Sequence, residues 1–161
     1  MRLTGIIILG VCIALYGFCI TYKLISATKQ LNSIIILIDS IKQKIRFKKE
    51  TVSEIISSYC KDQNYKFLFN SVLTTDLNDY FRRICYENDW LLIDKEQKNV
   101  LYDFFIGLGK SDLEGQINHC ENYKEIFQKG LLEFENESKK KIKLYPSLFI
   151  LAGMLVILIL F

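Results

Sequence analysis

The chain has 161 residues, half of them hydrophobic and 24% charged, with one Pro, 8 Gly and a net charge of +3. That composition excludes collagen-like, low-complexity and disordered chains and fits one domain with something apolar attached. The five cysteines, at 12, 19, 60, 85 and 120, form no C-x-x-C pair, and His119 is the only histidine. No disulfide framework, zinc module or imidazole-based acid/base site is expected, each cysteine reads as a small buried hydrophobe, and no cofactor is called for.

In chain order, residues 3 to 22 carry no charged side chain, and as a helix they would measure roughly 30 Å, the thickness of a hydrocarbon core. The run is longer than a signal-peptide core, its flank has Ile25 where a cleavage site needs a small residue, and Arg2 alone makes a thin n-region. An uncleaved transmembrane helix over 1–22 is therefore expected. Residues 144 to 161 are likewise uncharged, roughly 27 Å of helix that either just spans or stops at the far surface. Between them, 23–143 has soluble composition.

Lys23, Lys29 and Lys42 follow the first apolar run and Lys139, Lys140, Lys141 and Lys143 precede the second, against Arg2 alone on the other side. The positive-inside rule puts the middle domain in the cytosol and the termini outside, with the lysine cluster on anionic headgroups of the lipid bilayer. Residues 23–49 are net +6, 139–143 net +4 and 50–138 net −8. An acidic body is a poor match for nucleic acid.

Within the middle domain, Leu31, Ile34, Ile35, Ile38, Ile41 and Ile45 recur on one helix face. Thr51 with Glu54 reads as a capping box opening a helix to about Lys61. The aromatic stretch 63–73 reads as a helical piece, and Thr75 or Asp76 caps a helix carrying Tyr80, Phe81, Ile84 and Cys85. Trp90, Leu91 and Leu92 are expected in the core. Asp94 with Gln97 opens a helix with the stripe Val100, Leu101, Phe104, Phe105 and Leu108, which Gly109 ends. Ser111 with Glu114 reads as a third capping box. It leads into Leu113, Ile117, Cys120, Lys124, Phe127, Leu131 and Phe134, spaced like a coiled-coil seam with one polar interruption. Pro146 should kink or restart this helix near the bilayer surface.

Gly107 to Ser111 contains the G-K-S end of a phosphate-binding loop, but Phe104 stands where the pattern needs Gly and a helix, not a strand, precedes it. The acidic pairs Glu133/Glu137 and Glu121/Glu125 read as solvated helix faces. No nucleophile has a base at a recognisable spacing, so an enzyme is not expected.

Two segments carry a family resemblance: Lys44-Ile45-Arg46-Phe47 with Glu50 to Ile56 (ETVSEII), and Leu108-Gly109-Lys110-Ser111-Asp112-Leu113-Glu114-Gly115-Gln116. With the flanking apolar runs they resemble the stage III sporulation protein AB family, whose pattern has T-P-L-x-E-A-L at the first site and L-G-x-S-D-x-E-x-Q at the second. Leu108, Gly109, Ser111, Asp112, Glu114 and Gln116 match the second motif. Lys44, Phe47 and Thr51-Val52 depart from the first, and Phe149 and Ala152 stand where the terminal segment is often Gly-rich. The family is in turn similar to the cytoplasmic domains of type II secretion F and type IV pilus platform proteins. The resemblance implies an all-α, antiparallel six-helix bundle flanked by transmembrane helices. It also implies a non-enzymatic platform in the mother-cell membrane that couples a cytosolic ATPase, stage III sporulation protein AA, to the channel between mother cell and forespore. Asp62, Asp79 and Glu96 are candidate partner-facing acids. The second reading is a membrane-anchored helical signalling or dimerisation module in which the 113–134 seam dimerises or transmits a helix movement.

Overall fold

The computed structural model describes residues 2–48, 50–70 and 76–160. Among them all regular structure is helical, in five α-helices: α1 Arg2–Gln43, α2 Val52–Cys60, α3 Leu77–Tyr86, α4 Lys95–Gly107 and α5 Leu113–Leu160. Two compact units divide the chain, Met1–Thr28 with Glu133–Phe161, and Lys29–Leu132. The all-helical class agrees with the expectation, and five α-helices are described where a six-helix bundle flanked by transmembrane helices was expected. The apolar run and the Ile-rich stripe form one continuous α1, and the seam and the second apolar run form one continuous α5. Nothing between residues 22 and 31 breaks a helix, since neither Pro nor Gly occurs there.

Pro146 does not interrupt α5 either. It removes the backbone donor that would serve the Ile142 carbonyl four residues back, and in the same turn the Ser147 hydroxyl donates to the Leu144 carbonyl at 3.1 Å. Both α1 and α5 are long and apolar enough, by length and composition, to cross a membrane.

In the first unit α1 and α5 run antiparallel: Gly10 lies against Gly153 and Ile157, Gly17 against Phe149. Tyr16 meets the Phe149 ring edge-on at 5.7 Å. Gly153, next to the Ala152 that departs from the family pattern, supplies the close approach. A Cβ on it would sit 2.7 Å from the Gly10 carbonyl oxygen. Away from this contact the helices present Ile8, Leu15, Leu151 and Leu158 outward, an apolar surface suited to lipid.

The second unit is built on the α1 stripe. Leu31, Ile34, Ile38 and Ile41 are fully buried, together with Leu37, which lies outside the expected spacing. At its C-terminal end α1 widens into a π-helical stretch, Lys44–Lys48. Thr51 caps α2, its hydroxyl accepting from the Glu54 N–H while the Glu54 carboxylate accepts from the Thr51 N–H at 2.8 Å. Those bonds hold the Glu54 carboxyl below its usual range. Tyr59 of α2 donates from its hydroxyl to Ser40 at 2.6 Å, and the Lys44 ammonium stands 4.2 Å over its ring.

The expected helical piece after Lys61 is a single 3₁₀ turn, Gln63–Tyr65, capped by Asp62. Its remainder from 71 to 73 and the alternative cap Thr75 lie outside the described residues. Asp76 caps α3. α3 packs antiparallel on α4, with Phe81 stacked on Phe105 at 4.8 Å and Tyr86 bonded to Asn99 at 2.7 Å. Asp94 and Gln97 form the expected capping box of α4. Leu91 is buried as expected, but Trp90 is 67% exposed and Leu92 36%. Residues 88–91 form a turn, closed by the Leu91 N–H on the Asn88 carbonyl at 3.3 Å, with the Trp90 ring on its outer side.

Candidate functional site: the convergence of two loops

The α4–α5 connection holds the second motif, and several of its amides are bonded from within. Leu108 caps α4, and Gly109 follows at φ +79, a left-handed conformation that glycine adopts without strain. The Gly109 N–H donates to Oε1 of Gln116 at 3.0 Å, and Gln116 Nε2 donates to the Ser111 hydroxyl at 3.1 Å. Gln116 is buried while Ser111 and Glu114 are exposed. The cap of α5 is Asp112, one residue later than expected, whose carboxylate accepts from the Gly115 N–H at 3.0 Å. This corrects the Ser111/Glu114 capping box: Ser111 is engaged by Gln116, and Asp112 is the stronger acceptor for a helix N-terminus.

The same bonds account for the G-K-S sequence. A phosphate-binding loop needs free amides, and here the Gly109 N–H is taken by Gln116, the Lys110 N–H by the Gly107 carbonyl and the Gly115 N–H by Asp112. His119 is likewise structural. Its ring stacks on Phe104 at 5.5 Å, its Nε2 lies 2.9 Å from the Phe104 carbonyl, and it fills the space a side chain on Gly107 would need.

Val52 Cγ2 would lie 3.0 Å from a Cβ on Gly109, so the connection rests on the first residue of α2. The two segments that carry the family resemblance, far apart in sequence, therefore meet. They line a groove of about 490 Å³ with a floor of Phe81 and Phe105, walls of Ile45, Val52 and Leu108, and Glu50 and Lys110 on its lining. Spacing alone gave no sign of this convergence. The signal available was that both segments were motif-bearing.

The candidate partner-facing acids are less alike than the sequence suggests. Glu96 is exposed in the first turn of α4. Asp62 caps the 3₁₀ turn by accepting from the Asn64 N–H at 2.9 Å. Asp79 is held by Arg82 at 3.1 Å and Arg83 at 2.9 Å, which keep its carboxyl below the usual range. Lys139 and Lys141 pair with Glu135 and Glu137, each at 3.3 Å, while Lys140 and Lys143 are exposed. Of the acidic pairs, Glu121 approaches Lys42 at 3.5 Å. Among the described residues no three His, Cys, Asp or Glu side chains converge.

Lys124, the polar interruption of the seam, reaches Asp39 on α1 at 2.6 Å, and Lys42 approaches the same carboxylate at 3.3 Å. The seam thus closes against α1, with Cys120 and Phe127 buried. The Lys124 hydrogen bond, then that of Lys42, holds the Asp39 carboxyl below its usual value, opposed by partial burial. A carboxyl with a depressed folded-state pKa stabilises above its unfolded value and loses that contribution as pH falls through the folded value. Asp39→Asn is therefore expected to lower stability at neutral pH by about 1 kcal/mol. The gap from the parent should close on acidification below the carboxylate range, as followed by thermal unfolding in micelles. A gap independent of pH would assign the loss to packing.

Two of the free thiols, Cys85 and Cys120, are buried. Burial pushes Cys85 up to about 12 and Cys120 up to about 11, leaving them protonated at neutral pH.

A family model described as stage III sporulation protein AB matches residues 2–161. No curated protein and no solved structure matches the chain.

Proposed function

Since the chain belongs to the stage III sporulation protein AB family, and so has a sporulation role, we propose that it is a non-enzymatic membrane platform. It sits in the mother-cell membrane around the forespore, its bundle in the cytosol, and couples a cytosolic ATPase, stage III sporulation protein AA, to the channel assembly. The observation that carries this reading is charge polarity on an internally satisfied scaffold. Residues 50–138 are net −8, while the basic residues gather at 23–49 and 139–143, beside the apolar runs. Basic ends on anionic lipid leave the acidic body as the surface a cytosolic partner meets first. The Gly109 and Lys110 amides are already bonded, which favours a scaffold over a nucleotide-binding subunit.

Dimerisation, one form of the signalling reading, needs a free 113–134 seam. Within the second unit that seam is spent on α1 through Lys124, Cys120 and Phe127, so self-association through it has no support.

Glu96 offers the test. A cysteine placed there should resist a membrane-impermeant thiol reagent in intact sporulating cells. Glu96→Lys in the full chain, reconstituted in nanodiscs, should weaken capture of the ATPase at low salt, with the difference fading as salt rises. Ready labelling would reverse the topology, and unchanged capture at low salt would remove the acidic surface as the docking face.

A further inference from the structure

Residues 88–93 form a fixed strap whose outward side chains are apolar. Asn88 anchors one end, its Nδ2 donating to the Phe67 carbonyl at 2.9 Å and to that of Leu68 at 3.2 Å, while its Oδ1 accepts from the Trp90 N–H at 3.0 Å. Gln30 of α1 holds the middle with both ends of its carboxamide. Nε2 donates to the Trp90 carbonyl and Oε1 accepts from the Leu92 N–H, each at 2.7 Å. Leu91 and Ile93 are buried, at 3% and 4% exposure, and Trp90 and Leu92 point the other way. The largest side chain in the chain is thus held outward by a backbone that has little freedom to withdraw it.

Position gives this exposure a meaning. Gln30 is the second residue of α1 within the bundle unit, and eight residues back along the helix is Tyr22, the last of the uncharged run. At 1.5 Å per residue that is about 12 Å. Gln97, in the first turn of α4 just after the strap, lies beside Gly130 of α5, whose Cβ would be 3.7 Å from Gln97 Nε2. Gly130 is close to the end of the bundle's share of α5. Two separate contacts therefore set the strap, within the bundle unit, beside the residues at which the chain enters and leaves that unit. Polar headgroups extend the bilayer about 5–8 Å beyond each face of its hydrocarbon core, and an indole spans a comparable distance.

We propose that Trp90, with Leu92, is an interfacial anchor that seats the bundle in the headgroup layer of the membrane. This rests on the reading that the apolar runs lie in a bilayer. Tryptophan favours that layer because its ring is apolar and its N–H still finds a polar partner. The strap carries Asp89 and Asp94 at its ends, with Lys29 and Lys95 adjacent in sequence to Gln30 and Asp94. Attraction is therefore aromatic and apolar, and anionic lipid is not required for it.

Trp90 is the chain's one tryptophan, so the unmodified full chain carries its own probe. In phosphatidylcholine vesicles, lipids brominated close to the headgroup should quench its emission strongly. Lipids brominated near the chain end should quench it weakly and aqueous iodide little, and adding phosphatidylglycerol should change none of this. Free quenching by iodide with no lipid quenching overturns the anchor, as does shielding from both, which would indicate a protein contact. A second chain, Trp90→Phe with Leu151→Trp, places the probe on an outward position of the apolar run. If that tryptophan is quenched by deep bromines and Trp90 is not, the anchor fails and the bilayer reading stands; if neither is quenched by lipid, both fall.

Discussion

Replacing Phe105 by alanine is expected to destabilise the bundle by about 3–5 kcal/mol, the usual cost of truncating a fully buried aromatic. Phe105 is 1% exposed, stacks on Phe81 at 4.8 Å, meets Phe69 edge-on at 6.1 Å and lies 5.4 Å from Phe104. The change leaves a cavity under the floor of the groove where the two motif segments meet, and the other α3–α4 ring pair, Tyr86 with Tyr102 at 5.5 Å, is tilted and not stacked. Denaturant unfolding in micelles would read the loss as a lower midpoint with the slope retained. Ile106→Ala, at the neighbouring half-exposed position, should cost clearly less. Equal losses at 105 and 106 would mean that the α3–α4 contact contributes little to stability.

Local signals were legible to the residue, and long-range ones were not. The capping boxes Thr51/Glu54 and Asp94/Gln97 stand where side-chain type and spacing put them, because each depends on four consecutive residues. The third box slipped by one. Ser111 and Asp112 can both cap, and the choice is settled by Gln116, which takes the Ser111 hydroxyl and the Gly109 amide. The α1 stripe is readable from its period, whereas hydrophobicity alone puts Trp90 in the core and does not say which side of the 88–91 turn faces in. Lys124 looked like a flaw in an apolar seam until Asp39 appeared opposite it.

The motif residues acquire a physical reason from the same geometry. Gly109 is needed for a positive φ and for room beside Val52. Gln116 bonds two groups of the loop from one buried side chain, and Asp112 caps the long helix that leads to the apolar run. What they hold together is the junction of α2, α4 and α5. This is consistent with a scaffold whose shape is the functional quantity, and it explains how a sequence stretch resembling the end of a phosphate loop can be built from the same residue types.

Alanine at the glycines of the α1–α5 pair should sort by what each new methyl meets. At Gly153 the methyl would lie 2.7 Å from the Gly10 carbonyl oxygen, and at Gly17 2.7 Å from the Phe149 Cβ. Neither atom can move without its helix, so the pair must separate and lose its close packing. At Gly10 the two nearest atoms are the end of the Ile157 side chain, Cδ1 at 2.6 Å and Cγ1 at 2.8 Å, which another rotamer can carry away, and the fixed Gly153 carbonyl oxygen stands further off at 3.1 Å, so the loss should be smaller. At Gly5 nothing lies within 4 Å. There the substitution should be neutral or mildly stabilising, because alanine favours a helix over glycine by about 1 kcal/mol. The same propensity acts at every position, so destabilisation at 153 and 17 must exceed it to be seen. Overpacking of about 1–3 kcal/mol is sufficient for that. Unfolding of the full chain by dodecyl sulfate in mixed micelles would rank the four variants. If Gly153→Ala proves as harmless as Gly5→Ala, the helices do not pair at the Gly10–Gly153 crossing and another register of α5 on α1 must replace it.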